Sequence, residues 1–211
     1  MLEEYNINHT TLKILSLYRA DYNRSLHLRE ISRQTKVDVK AVQLQLKRLE
    51  KINVVSSVLK GRNKEYSLNL GNSITKYYMI MAETFASIIY LRKNFLIKKT
   101  VSEIGNLVEG TMVLFGSFAR GQATKESDMD IFVISDKKIP MSTVREAGRL
   151  IGRTISIKST SREHFMKGVE EKDPLISEVV SNHIILKGVD DYCDIIWRYY
   201  AGQKKLPQMV L

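Results

Sequence analysis

The residues best placed to do chemistry are two aspartates one residue apart, Asp128 and Asp130, with Gly116 and Ser117 upstream of them. Val113-Leu114-Phe115 runs into Gly116-Ser117, and Asp128-Met129-Asp130 runs into Ile131-Phe132-Val133-Ile134. Short apolar runs bounded by turn residues read as buried strands, so the four residues sit at the strand mouths of one loop. Side chains alternate along a strand, which puts Asp128 and Asp130 on one face with Met129 opposite. Two carboxylates on one face suit Mg²⁺ (or Mn²⁺), which takes one or two protein carboxylates and completes its shell with substrate phosphate. Gly116 lets backbone approach an anion closely, and the Ser117 hydroxyl and the N–H groups after it can donate to that anion. The competing reading is a solvated hairpin whose aspartates only form the turn.

Gly116-Ser117, the ten residues Phe118 to Ser127, and Asp128-Met129-Asp130 stand in one register. This pattern resembles the signature of the nucleotidyltransferase superfamily that includes DNA polymerase β, and especially its minimal nucleotidyltransferase members. Ala119-Arg120-Gly121 and Ser127 fit the same pattern. The resemblance implies a nucleoside triphosphate as ligand or substrate and Mg (or Mn) as cofactor. It implies Asp128 and Asp130 as catalytic and metal-holding residues, with Gly116, Ser117, Arg120 and Ser127 on the nucleotide. It breaks at one point. Active members place a third carboxylate on the strand after the aspartates, and here that strand, Arg153 to Ser159, has no acid. No Asp or Glu lies between Glu146 and Glu163. Ser156 takes the inward position, and Lys158 is the other candidate for the same cleft. Losing a general base typically costs about 10²–10⁴ in rate. Whether the protein is an enzyme is therefore open, and the motif points to a nucleotide site more firmly than to turnover.

The elements that must position these residues follow in chain order. Leu12, Ile14, Leu15, Leu17 and Tyr18 predict a helix over 10–21, Ser25 can cap a second over Leu28 to Thr35, and Asp38 a third through Lys51. Val54 to Leu59 and Glu65 to Leu70 read as a hairpin around Lys60-Gly61-Arg62-Asn63-Lys64. Helices followed by a basic hairpin resemble a winged helix-turn-helix over residues 1–70. That resemblance implies double-stranded DNA as partner, with Lys40, Gln43, Lys47 and also Gln45 on the reading helix and Lys60, Arg62 and Lys64 on the wing. Charge agrees: residues 1–70 hold 13 Lys/Arg against 7 Asp/Glu, while 106–211 hold 15 against 14. A protein-docking role for the same face is the alternative.

Residues 71–105 read as connecting helices. Ile74, Tyr77, Tyr78, Met81, Phe85, Ile88 and Ile89 fall near one side of a helix reaching Lys93, a stripe that must be buried in core or in a homodimer seam. Beyond the motif, helices over Met141 to Ile151, Glu163 to Val169, from Pro174, and Asp190 to Tyr200 alternate with strands Arg153 to Ser159 and His183 to Lys187. The expected fold class is α+β: an N-terminal winged helix-turn-helix, a long connecting helix, and a C-terminal nucleotidyltransferase-fold domain over 106–200, its mixed sheet flanked by helices. A poorly ordered tail is expected over 201–211. Cys193, the single cysteine, excludes a disulfide framework and fits packing in a reducing, cytoplasmic setting. Met1-Leu2-Glu3-Glu4 lacks the basic and apolar regions expected of a signal peptide, the apolar stretch Met79 to Leu91 is too short for a bilayer and contains Glu83, and His9, His27, His164 and His183 lack zinc spacing.

Three functions compete. The first is a DNA-binding transcriptional regulator whose second domain binds Mg-nucleotide, with catalysis weak or lost. The second is an active transferase moving an NMP unit to a protein or small-molecule hydroxyl. Minimal nucleotidyltransferases include antitoxins that modify a HEPN-type toxin, so the resemblance implies such a protein partner. The third is a winged helix with a vestigial second domain.

Overall fold

The computed structural model describes residues 7–203. They divide into two compact units, residues 7–82 with 197–203, and Glu83–Ile196.

In the first unit α1 (His9–Ser16), α2 (Leu28–Thr35) and α3 (Val39–Lys51) accompany strands β1 (Leu26–His27), β2 (Val55–Lys60) and β3 (Asn63–Leu68). β3 pairs antiparallel with both β2 and the short β1, which sequence periodicity did not predict. Lys60 pairs with Asn63, so the hairpin turns on Gly61 and Arg62 alone. Gly61 has φ +60°, the left-handed conformation that such two-residue turns require. Asp38 caps α3, accepting from the N–H groups of Lys40 and Ala41. Ser25 does not cap α2: His27 holds the N-cap position without a side-chain bond, and the Ser25 hydroxyl donates to Glu65 at 3.0 Å. Ile14, Leu15, Ile31, Val42, Leu46 and Leu68 are buried, and the Tyr18 hydroxyl donates to the Tyr66 carbonyl at 2.9 Å. Tyr22 packs against the end of the last helix, its ring 5.3 Å from that of Tyr200.

In the second unit, α5 (Phe95–Ile104), β4 (Thr111–Leu114), α6 (Gly116–Ala119), β5 (Met129–Ile134), α7 (Met141–Ile151), β6 (Ile155–Thr160), α8 (Arg162–Glu170), α9 (Pro174–Ser181) and β7 (Ile184–Lys187) follow in order. α4 (Ser73–Lys93) and α10 (Val189–Gln203) cross the division between the units. The sheet runs β6-β5-β4-β7; β5 and β6 are parallel and β4 is antiparallel to both its neighbours. The mixed α+β class follows directly. One face carries Met129, Ile131 and Val133 into a core with Ile97, Ile104, Val144 and Ala147. On the other, Phe132 meets Phe115 and Phe165, with ring centroids 6.2 and 5.6 Å apart. That alternation puts Asp130 on the Phe132 side, toward α8 and α9. Before β7, buried His183 places Nε2 3.0 Å from the Glu83 carboxylate and Nδ1 2.8 Å from the Val180 carbonyl. Glu83, which marks the apolar stretch as non-spanning, is fully buried in this pair. No helix among the described residues is long and apolar enough to cross a membrane.

α4 is rotated from the expected phase. Thr75, Tyr78, Met79, Ala82, Glu83 and Ser87 face inward. Ile74, Tyr77 and Ile88 of the predicted stripe are exposed, and Met81 and Phe85 are half-buried. Two polar groups of the inward face find partners, Glu83 with His183 and the Thr75 hydroxyl with the Val54 carbonyl, and an apolar stripe cannot signal these. α10 extends through Gln203, and the expected tail from 204 to 211 lies outside the described residues. Cys193 is buried in α10.

Candidate nucleotide and metal site

β4 ends at Leu114, and the Phe115 N–H donates to the Asp130 carbonyl at 3.0 Å, so the chain reaches Gly116 directly beside Asp130. Gly116 adopts φ +66°, and a Cβ there would lie 2.6 Å from Asp130 Oδ2. Any side chain at this position is therefore excluded twice, by backbone conformation and by the carboxylate. From Gly116 the chain turns through α6. The N–H groups of Arg120, Gly121 and Gln122 are spent on the carbonyls of Gly116, Phe118 and Ser117. The N–H groups of Gly116, Ser117 and Phe118, which follow the Phe115 N-cap, are the donors a helix start leaves without an intrahelical acceptor. The Tyr90 hydroxyl of α4 donates to the Phe118 carbonyl at 2.9 Å and pins this turn.

Asp130 is half-buried on β5 and Asp128 is exposed just before it, flanking buried Met129. The Asp130 carboxyl is held above its ordinary range, chiefly by burial and next by the charge of Asp128. The Ser156 hydroxyl hydrogen-bonds it and Arg120 stands nearby, both opposing that shift, while Glu178 adds to it. Ser156 is in register with Asp130 across the parallel pair, so the strand position at which the sequence pattern implies a third acid carries a hydroxyl. Lys158 lies two pairs further along the strand, beside Phe132, rather than beside Asp130.

Sequence periodicity did not find Glu178. It projects from α9, and its carboxylate takes the Arg120 guanidinium at 2.6 Å. A lone acid on a short helix gave no signal that this helix folds onto the motif loop. Ser127 is also committed: its hydroxyl accepts from the Thr124 N–H at 2.8 Å and closes the loop's own turn. Gly116, Ser117, Arg120, Asp128 and Asp130 are thus brought together, with Ser127 supporting the loop. Among the described residues no group of three or more His, Cys, Asp or Glu could hold a metal ion. The pair that exists, one half-buried and each raising the electrostatic cost of the other, fits a cation whose remaining ligands come from phosphate.

The residues predicted to meet DNA lie in the first unit. Lys40, Gln43 and Lys47 are exposed along α3, whereas Gln45 is buried and bonded to Thr11 at 3.1 Å, correcting its assignment to the outward face. At the hairpin Lys60 pairs with Glu65 and Lys64 with Glu50, each at 2.8 Å. Arg62, at the tip, has no such partner among the described residues.

A family model for the nucleotidyltransferase domain matches residues 96–186, from α5 through β7. No curated protein matches the chain. Among solved structures it is similar to a crystal structure of a toxin–antitoxin with AMP-PNP, at 16% identity over 51% of this chain and 90% of that one. The TM-score of that pair is 0.35.

The strained charge on Asp130 has a stability consequence. A carboxyl whose folded pKa is raised destabilises the fold once it ionises, so that penalty is present at neutral pH and vanishes below the unfolded pKa of about 4. Asp130→Asn should raise the melting temperature of the metal-free protein near pH 7, with the gain shrinking to nothing as pH falls below about 4. Thermal melts of both proteins across pH check this.

Proposed function

We propose that residues 96–186 bind a Mg²⁺- or Mn²⁺-nucleoside triphosphate at the mouth of β4 and β5, with weak or absent NMP transfer, and that the first unit binds double-stranded DNA. The reading thus joins a regulator's output to a nucleotide-sensing domain. The observation that carries it is Gly116, without a side chain, set against the raised Asp130 carboxylate with Asp128 beside it. Asp128 and Asp130 would hold the metal, which when bound neutralises phosphate charge and orients the triphosphate. Ser117 and the N–H groups after it would hold phosphate oxygens, and Arg120 would exchange Glu178 for phosphate. In transfer, an acceptor hydroxyl would attack the α-phosphorus, its proton would leave to a base, and pyrophosphate would depart. Ser156 is no base near neutral pH, which is why slow transfer is the expectation.

Glu178 supports a second reading, an active transferase acting on a protein or small-molecule hydroxyl, antitoxin-like on a HEPN-type partner. Once phosphate takes Arg120, Glu178 becomes a free carboxylate near Asp130 and could accept the hydroxyl proton. For DNA, the support is the row Lys40, Gln43 and Lys47 on α3 with Arg62 at the hairpin tip. Phosphate would have to displace Glu65 and Glu50 to engage Lys60 and Lys64. The outward stripe of α4, with Met81 and Phe85 at its centre, would pair two copies as a homodimer.

Three experiments test the proposal. Nucleoside triphosphate with Mg²⁺ should raise the melting temperature by mass action, and with EDTA it should not. Asp128→Asn with Asp130→Asn should abolish the shift, and Glu178→Gln should enlarge it by freeing Arg120. A labelled-NTP incubation run alongside should show little transfer; brisk transfer that Glu178→Gln removes would establish the second reading instead. For DNA, a mobility-shift titration across salt should show weaker binding and a flatter salt slope in Lys40→Ala, Lys47→Ala and Arg62→Ala. Unchanged binding in the triple variant would assign the face to a protein partner.

A further inference from the structure

We propose that the cleft between the end of α7 and the start of β6 binds a terminal phosphate, that of a free nucleotide or of an oligonucleotide end, without metal. The cleft has a volume of about 420 Å³ and is lined by Arg145, Gly148, Arg149, Gly152, Arg153 and Thr154. That volume suits a nucleotide-sized ligand. Arg145 and Arg149 stand one turn apart on α7, and Arg153 enters from the strand side, so arginines border one concavity on two sides. None of the three pairs with a carboxylate among the described residues. All are arginines, whose planar fork meets phosphate oxygens two at a time, which lysine cannot do.

Backbone forms the floor. A Cβ on Gly148 would lie 2.7 Å from the Arg153 carbonyl, so helix and strand entrance touch main chain to main chain there. Gly152, with φ +67°, ends the helix with open space beside it. A helix C-terminus is the negative pole of the helix and by itself repels an anion. Here its last carbonyls are already engaged. The Arg153 N–H donates to Gly148 at 3.0 Å, the Gly152 N–H to Arg149 at 3.2 Å and the Lys99 ammonium to Leu150 at 3.2 Å. The field in the cleft is then set by the guanidinium charges, each a full charge against the fractional charge of a helix end.

A terminal phosphate concentrates about two charges on one group, which suits converging guanidiniums better than the single, spaced charges of an acidic peptide. The cleft also adjoins the motif loop, because Arg153 Nη1 donates to the Thr124 carbonyl at 3.3 Å. A phosphate held there presents the rest of its molecule toward the segment carrying Ser127 and Asp128. The site needs neither aspartate, so it stands or falls apart from the metal-nucleotide reading.

Calorimetry on the full chain in EDTA tests it with four probes: a nucleoside monophosphate, a 5′-phosphorylated single-stranded oligonucleotide, the same oligonucleotide with a 5′-hydroxyl, and a glutamate-rich peptide. Arg145→Ala with Arg149→Ala removes two exposed side chains and should leave the melting temperature unchanged. Phosphate-bearing probes should bind the wild type and lose about tenfold or more in that variant. Asp128→Asn with Asp130→Asn should bind them as the wild type does. Tighter binding of the phosphorylated oligonucleotide assigns a strand end, and tighter binding of the monophosphate a free nucleotide. No binding in EDTA, indifference to the 5′-phosphate, equal affinity for the peptide, or full affinity in the arginine variant would each overturn the proposal.

Discussion

A carboxylate pressed against a glycine sets the constraint on which the rest of this site depends. Gly116 must occupy the left-handed region, and the space its missing Cβ leaves is filled by Asp130 Oδ2. Antiparallel pairing of β4 with β5 brings the two together, and the Phe115–Asp130 backbone bond fixes their register. A one-residue slip would turn Asp130 into the core and Met129 into the site. The apolar packing of Met129, Ile131 and Val133 beneath the sheet is what prevents it. Core and site are therefore two faces of one strand, and the stability of the first holds the geometry of the second.

The price of that geometry is electrostatic. Burial and Asp128 raise the Asp130 carboxyl, and Glu178 adds to the load. Ser156 and Arg120 relieve part of it, but Arg120 is shared with Glu178 at 2.6 Å. A cation and phosphate would relieve the same strain more completely, satisfying the aspartates and offering Arg120 a second anionic partner. If the proposed ligand binds there, the protein trades stability for binding at this site.

Local features of the sequence were readable because their chemistry is local. The loop between Gly116 and Asp130, the Asp38 cap and the span of α7 each depend on neighbours within a few residues, and each lies where its residues predict. Features set by distant partners were not readable. The inward face of α4 carries Thr75 and Glu83, because Thr75 finds the Val54 carbonyl and Glu83 finds His183 a hundred residues away. Gln45 turns inward to Thr11 for the same reason, and Glu178 meets Arg120 only because α9 returns over the motif. Polar residues with tertiary partners defeat apolar periodicity. The third carboxylate shows both sides: its absence from β6 was legible, and the acid that approaches from α9 was not.

The most direct test of the central claim is electron paramagnetic resonance of Mn²⁺ titrated into the full chain with and without nucleoside triphosphate. The expected result is a protein-bound Mn²⁺ signal that needs the nucleotide and disappears in Asp128→Asn with Asp130→Asn. A signal that persists in that variant, or none in the wild type with nucleotide present, would contradict it.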